Sequence, residues 1–390
     1  RVWIDTMKNS TRGAVDPFIV MDVMEAARQA EAAGRHIIHM EVGQPATLAP
    51  LGARNALRDS LNATAMGYTV ALGLPELRAK IADLYGEWYD VDLDSNRVIV
   101  TSGSSAGFLL SFTSLFDAGE RVGIGAPGYP SYRQILKALD LTAVDIPTSA
   151  ANKFQPHPTD LASLSLNGLL VASPSNPTGT MLSRGELGAL IKATERSEAA
   201  FISDEIYHGI EYETKAVSAL EITNNCYVIN SFSKYFSMTG WRIGWMVVPE
   251  NHIRQVERLA QNMFICAPHA SQVVALAAME CREELIAYKA VYEKNRRLMI
   301  DGLPEAGFDR IAPPDGAFYI YADISHLTSD SLSFARQILQ EAGVAVTPGL
   351  DFDTQRGAGS LRFSYAGSSE DIQEGLHRLK QFMQKKGFAA

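Results

Sequence analysis

Lys234 stands in a setting suited to covalent chemistry. It lies in Ser231-Phe232-Ser233-Lys234-Tyr235-Phe236-Ser237-Met238-Thr239-Gly240-Trp241-Arg242, directly after the strand-like run Tyr227 to Asn230, among hydroxyls and aromatics. A lysine in a partly apolar pocket loses hydration that favours its ammonium form. Its pKa falls, and the neutral amine can form a Schiff base with a carbonyl. A lone lysine more often marks a solvated face, so the reading depends on the company Lys234 keeps.

Three further segments supply that company, each at the end of a strand-like run. Ser173-Pro174-Ser175-Asn176-Pro177-Thr178-Gly179 follows Leu169 to Ala172. Its prolines and glycine make a rigid turn able to aim the Asn176 amide, though as a bare string it is only a turn signal. Ser203-Asp204-Glu205-Ile206-Tyr207 puts an acid at the carboxyl end of a buried strand, where α/β sheets place ligands. The competing reading is an N-cap for a following helix. Leu361-Arg362-Phe363-Ser364-Tyr365 sets an arginine in a strand-like sequence. Its planar fork matches a carboxylate, and burial without a partner costs several kcal/mol. A structural ion pair is the plainer alternative.

The elements that must position these groups follow from the hydropathy pattern. Pro17 to Gly34 carries an apolar helical stripe, then comes a strand-like run from His36 to Val42 and a turn at Gly43 and Pro45. Strand candidates follow at Arg97 to Val100, Val122 to Ala126, Leu169 to Ala172, Phe201 to Ser203, Tyr227 to Asn230 and Ile243 to Val248, with helical patterns between them such as Ser131 to Ala138 and Arg184 to Thr194. Such alternation predicts an α/β fold, a three-layer α/β/α domain with a mostly parallel sheet. From His269 to Leu303 the pattern is long and helical. Strands at Phe318 to Ala322, Val344 to Thr347 and Leu361 to Ser364 and a helix at Ser369 to Lys385 then predict a smaller α+β domain. A chain of 390 residues has room for both. The expected division is 46–285 for the large domain and 1–45 with 286–390 for the small one.

Composition narrows the function. With 35 basic against 44 acidic residues and no basic block, nucleic acid is not the expected partner. No apolar run reaches the roughly 18 residues of a membrane span, and Arg1 to Ala14 lacks a signal-peptide core, so a cytoplasmic protein is expected. Cys226, Cys266 and Cys281 are widely spaced and read as core packing, and no histidines or cysteines repeat at a metal-ligand spacing, so no metal site is assigned. Gly123-Ile124-Gly125-Ala126-Pro127-Gly128 matches G-x-G-x-x-G, with Asp145 at the distance of a ribose-binding acid. Its glycines fall inside the strand rather than after it, which argues against a nicotinamide dehydrogenase.

Taken in order, the four chemical segments resemble the class I aminotransferases of the fold-type I pyridoxal-phosphate family, over nearly the whole chain from Gly43 to Arg362. The resemblance implies pyridoxal 5'-phosphate as cofactor and transfer of an amino group between an amino acid and a 2-keto acid by way of a pyridoxamine form. It implies that Lys234 forms the Schiff base and shuttles the proton, that Asp204 pairs with the pyridine nitrogen, and that Asn176 and Tyr207 hydrogen-bond the phenolic oxygen. Tyr129 would stack on the ring. Ser104 and Ser105, opening an apolar helix whose N-terminus suits an anion, would bind the phosphate with Ser231, Ser233 and Arg242. Arg362 would take the substrate carboxylate beside the Gly43 backbone and Asn176. Tyr68 resembles the tyrosine that reaches the neighbouring subunit's phosphate, which implies a homodimer.

This sequence departs from relatives at Ser105 and Ala106, where many carry a bulkier polar residue and a glutamine. Some aspartate-specific relatives have a lysine at the position of Ser105, and its absence argues against a dicarboxylate substrate. The apolar segment Asp16-Pro17-Phe18-Ile19 is expected to border the site and to favour a neutral amino acid. A β-lyase, decarboxylase or synthase could share every one of these residues, since fold does not fix reaction. A non-catalytic ligand sensor would need an attached DNA-binding module, which is not expected in the short stretch before Asp16.

Overall fold

Five-residue runs such as Gly168–Ala172, Ala200–Asp204 and Tyr227–Ser231 are apolar or small and buried almost throughout, the signature of strands covered on both faces. In the structure, a computed structural model that describes residues 7–389, they are β5, β6 and β7 of a seven-stranded sheet. The others are β2 (Val98–Thr101), β3 (Arg121–Ala126), β4 (Thr142–Pro147) and β8 (Gly244–Val247), in the order β2-β8-β7-β6-β5-β3-β4. β8 runs antiparallel to β7 and β2, and every other pairing is parallel. The sheet is mostly parallel, as expected.

Successive side chains on these strands enter different cores. Leu169, Val171, Val228 and Trp245 pack with the helices Pro75–Tyr89, Arg184–Arg196 and His269–Ala278. Leu170, Ile202, Ile229 and Met246 pack on the other face with Gly103–Leu115, Pro130–Ala138 and Ile253–Met263. That period of two produces the three layers. A third core surrounds an antiparallel sheet of β11 (Thr347–Pro348), β12 (Ser360–Ser364) and β9 (Tyr319–Asp323), covered by helices Arg282–Glu305 and Ser369–Lys385. β1 (Ile38–His39) pairs in parallel with β10 (Val344–Ala345), tying the N-terminal segment to this part of the chain.

Several expected elements take a different form. The strand expected over His36 to Val42 is only β1. Val344 to Thr347 divides between two sheets as β10 and β11, because an apolar run reports burial and not which neighbour it joins. His269 to Leu303 holds two helices, broken after Ala278 and resumed at Arg282. β4 was not anticipated, since its half-exposed face and Asp145 blur the apolar pattern. Cys226 is buried, whereas Cys266 and Cys281 are only partly so.

One consequence of the sheet directions matters for function. β2, β3, β5, β6 and β7 all run the same way, so the segments that follow them emerge at one edge. β8 runs back, so Arg242, just before its amino end, reaches that edge too.

Candidate active site

At that edge lies a cavity of about 220 Å³. Its wall includes Gly43, Ser104, Ser105, Tyr129, Asn176, Asp204, Tyr207, Ser233, Lys234, Arg242 and Arg362. Eleven of the residues singled out in the sequence, scattered over more than 300 positions, are thus brought together. Ser231 lies just behind, its hydroxyl donating to Ser233 Oγ at 2.8 Å. Tyr68 is outside the cavity and 81% exposed.

Lys234 Nζ donates to the Gly43 carbonyl and sits 5.7 Å from the centre of the Tyr207 ring. Burial of the amine pushes its pKa down to about 7, helped by the positive charges of Arg362 and Arg242 and opposed by Asp204. Asp204 ends β6, buried, and its pKa is pushed up to about 6 by burial against the stabilising hydrogen bonds from Tyr132 and the Ile206 N–H and the charge of Lys234. The Ile206 N–H donates to Asp204 Oδ1 at 3.1 Å, but no helix follows, only turns. The helix N-cap reading of Asp204 therefore fails.

The turn carrying Asn176 is clamped. Ser173 Oγ accepts the Leu182 N–H at 2.9 Å, and the Ser173 carbonyl accepts from His208 Nε2 at 2.9 Å. Because a carbonyl can only accept, His208 carries its hydrogen on Nε2, and Nδ1 receives the Tyr89 hydroxyl at 2.6 Å. Burial lowers the His208 pKa to about 4, keeping the ring neutral in this role.

Arg362 is buried on β12. Nη1 donates to Asn176 Oδ1 at 2.8 Å and Nη2 to the Glu41 carbonyl, while the guanidinium lies 4.3 Å from the Tyr319 ring centre and 4.7 Å from that of Phe352. No carboxylate pairs with it among the described residues, and its Nε is buried with no partner. The structural ion pair considered from sequence is absent. A guanidinium beside a cavity with no carboxylate partner is chemically suited to an anionic group from that cavity.

Ser104 and Ser105 lie in the first turn of the Gly103–Leu115 helix, whose first N–H groups have no partner within the helix, a setting that suits an anion. The Arg242 guanidinium packs so closely on Gly103 that a Cβ there would stand 2.5 Å from Nη2, and Gly103 also has φ of +77°. The arginine tip could shift, but the positive φ favours glycine there.

The geometry holds a buried lysine amine, a buried acid, a guanidinium with no carboxylate partner among the described residues and a helix N-terminus around one space. A family model described as aminotransferase class I and II matches residues 35–379. The chain belongs to that family. The valine–pyruvate aminotransferase of Mycobacterium tuberculosis is 44% identical over 384 residues, covering 97% of this chain and 99% of that one. An aspartate aminotransferase of Sulfurisphaera tokodaii is 33% identical, covering 92% of this chain and 93% of the relative. A solved structure from Silicibacter pomeroyi superposes with a TM-score of 0.93 at 68% identity, covering 97% of this chain and 100% of that one. This aminotransferase moves an amino group between an amino acid and a 2-keto acid.

Sequence reasoning missed other parts of the aminotransferase's cavity. Tyr132, whose hydroxyl donates to Asp204 Oδ2, lies one helical turn from Tyr129, and that i,i+3 spacing was the available signal. Gln44 and Tyr319 also line the space. Tyr319 gave no signal, because it reads as one more aromatic of β9.

Proposed function

We propose that the aminotransferase works with pyridoxal 5'-phosphate in this cavity, held covalently through the Lys234 amine, and acts on neutral α-amino acids. The observation that carries the cofactor reading is the meeting of Lys234, its pKa lowered to about 7 by burial, with the acid Asp204 in the same wall. When bound, the cofactor supplies the electron sink that lets a Cα–H bond break.

The residues present fit such a group. Asp204 would pair with the ring nitrogen, and a cation opposite it would draw its carboxyl back below about 6. The first turn at Ser104 and Ser105, with Arg242, Ser231 and Ser233, would take the phosphate. Tyr129 would flank the ring, and Asn176 and Tyr207 would reach the phenolic oxygen. Once freed by the incoming amine, Lys234 would take the proton from Cα and return it on the cofactor side, a task for a base with pKa near the working pH. Arg362, which lines the wall with no carboxylate partner among the described residues, supports a substrate carboxylate there, alongside Gly43.

The neutral-substrate reading rests on the remaining wall. Phe18, Val20, Met21, Met24, Val42 and Ile206 line it, and among the described residues the lining cations are those already assigned, Lys234, Arg242 and Arg362. A second substrate carboxylate would face apolar side chains at a cost of several kcal/mol. Valine and alanine should therefore be transaminated with kcat/KM at least about tenfold above aspartate. A preference for aspartate in a donor screen would overturn this reading.

The proposal includes a homodimer, supported by the exposure of Tyr68 at 81% together with exposed Val70, Leu51 and Ile286. It includes the two-domain division near residues 45 and 285, of which 1–6 and 390 lie outside the described residues. It includes a cytoplasmic location, which the free cysteines Cys226, Cys266 and Cys281 suit. No described helix is long and apolar enough to cross a membrane.

A further inference from the structure

Tyr319 opens β9 in the small sheet, yet it is fully buried in the wall of the cavity and meets three of its functional groups. Its hydroxyl lies 2.6 Å from that of Tyr207. Its ring lies beneath the Arg362 guanidinium, 4.3 Å from it. Its Oη also fills the space that a side chain at position 43 would need, so a Cβ on Gly43 would collide with it.

Two hydroxyls at 2.6 Å share one hydrogen, and the direction has a consequence. Neither has another hydrogen-bond partner among the described residues. If Tyr207 donates to Tyr319, its only hydrogen is taken up within the pair and cannot serve an acceptor in the cavity. If Tyr319 donates, Tyr207 keeps its hydrogen for the cavity and gains strength as a donor, since hydrogen bonds in a chain polarise one another.

We propose that Tyr319 is a positioning residue that donates to Tyr207 and thereby fixes Tyr207 as the donor to the cofactor's phenolic oxygen. This rests on the placement of Tyr207 given under the proposed function. Donation to that oxygen stabilises its negative charge, which is greatest when the bound chromophore has lost its proton. Weakening the donor therefore raises the pH at which the chromophore deprotonates.

The test compares wild type, Tyr207→Phe, Tyr319→Phe and the double variant, each loaded with pyridoxal phosphate, by titrating the visible absorbance with pH. Tyr319→Phe keeps the ring that fills the space and faces Arg362, and circular dichroism of each variant verifies the fold. Tyr207→Phe should move the midpoint upward. Tyr319→Phe should move it the same way by a smaller amount, about half a pH unit to one, the scale of a single hydrogen bond. The double variant should match Tyr207→Phe, because a relay has nothing to pass on once its end is removed. A shift in Tyr207→Phe with none in Tyr319→Phe, or additive shifts in the double variant, would overturn the relay alone. No shift in Tyr207→Phe would overturn the placement of Tyr207 on which it stands.

Discussion

Arg362 lines the cavity with no carboxylate partner among the described residues. It is buried between two aromatic rings, gives hydrogen bonds to Asn176 and the Glu41 carbonyl, and keeps Nε unpartnered. Arg362→Lys retains the charge but loses the planar fork. It should lower kcat/KM about ten- to a hundredfold, chiefly through a higher KM, as steady-state kinetics would show. An unchanged KM would remove Arg362 from the substrate site. Lys234 makes a prediction about pH. Burial lowers its pKa to about 7, so the reactive free amine is scarce below that pH and dominant above it. The rate at which cofactor-free protein gains its visible band with added pyridoxal phosphate should rise through about pH 7 and then level off; a rate that stays flat across that range would contradict the assignment. The sequence made Lys234, Asn176, Asp204 and Arg362 legible because each is chemically out of place in a plain core strand or turn. Tyr319 was not legible, since a tyrosine fits a core and its hydroxyl partner, Tyr207, is fixed only by folding, and Tyr132, which meets Asp204, offered only its spacing from Tyr129.

Among the elements, the helix Ile19–Ala32 has the most to lose. It brings Val20, Met21 and Met24 to the cavity, yet its own N-cap, Phe18, provides no side-chain hydrogen bond. The cap comes from a distant residue: Asp351, nearly buried, accepts from the Ile19 N–H at 3.0 Å and the Val20 N–H at 3.1 Å. A carboxylate at a helix N-terminus satisfies orphan donors and the dipole together. Asp351→Ala should destabilise the helix by about 1–2 kcal/mol, seen as faster hydrogen exchange at residues 19–24, and should raise KM for apolar amino acids more than it changes kcat. Unaltered exchange there would show that the helix is held by packing alone. The sequence disclosed this helix by its apolar stripe but not its cap, because the cap lies more than 300 residues away. Strands β5, β6 and β7 were plain, being continuous apolar runs. β4 was obscured by Asp145, whose carboxylate is held by Arg133 Nη2 at 2.6 Å from a neighbouring helix.

At the scale of the whole molecule, the sheet directions gather the site, while Tyr68 and Val70 are exposed outside its wall. If Tyr68 serves a second copy of the chain, sedimentation should give a dimer, and Tyr68→Phe should weaken pyridoxal-phosphate binding about tenfold without changing the sedimentation coefficient. A monomer that retains full activity would remove Tyr68 from the site. The central claim remains the covalent hold on the cofactor, and it has one direct measurement. Purified protein loaded with pyridoxal phosphate should lose its visible band on borohydride reduction, and digestion followed by mass spectrometry should find the pyridoxyl group on Lys234. A label on another lysine, or a protein that gains no visible band at all, would contradict the account.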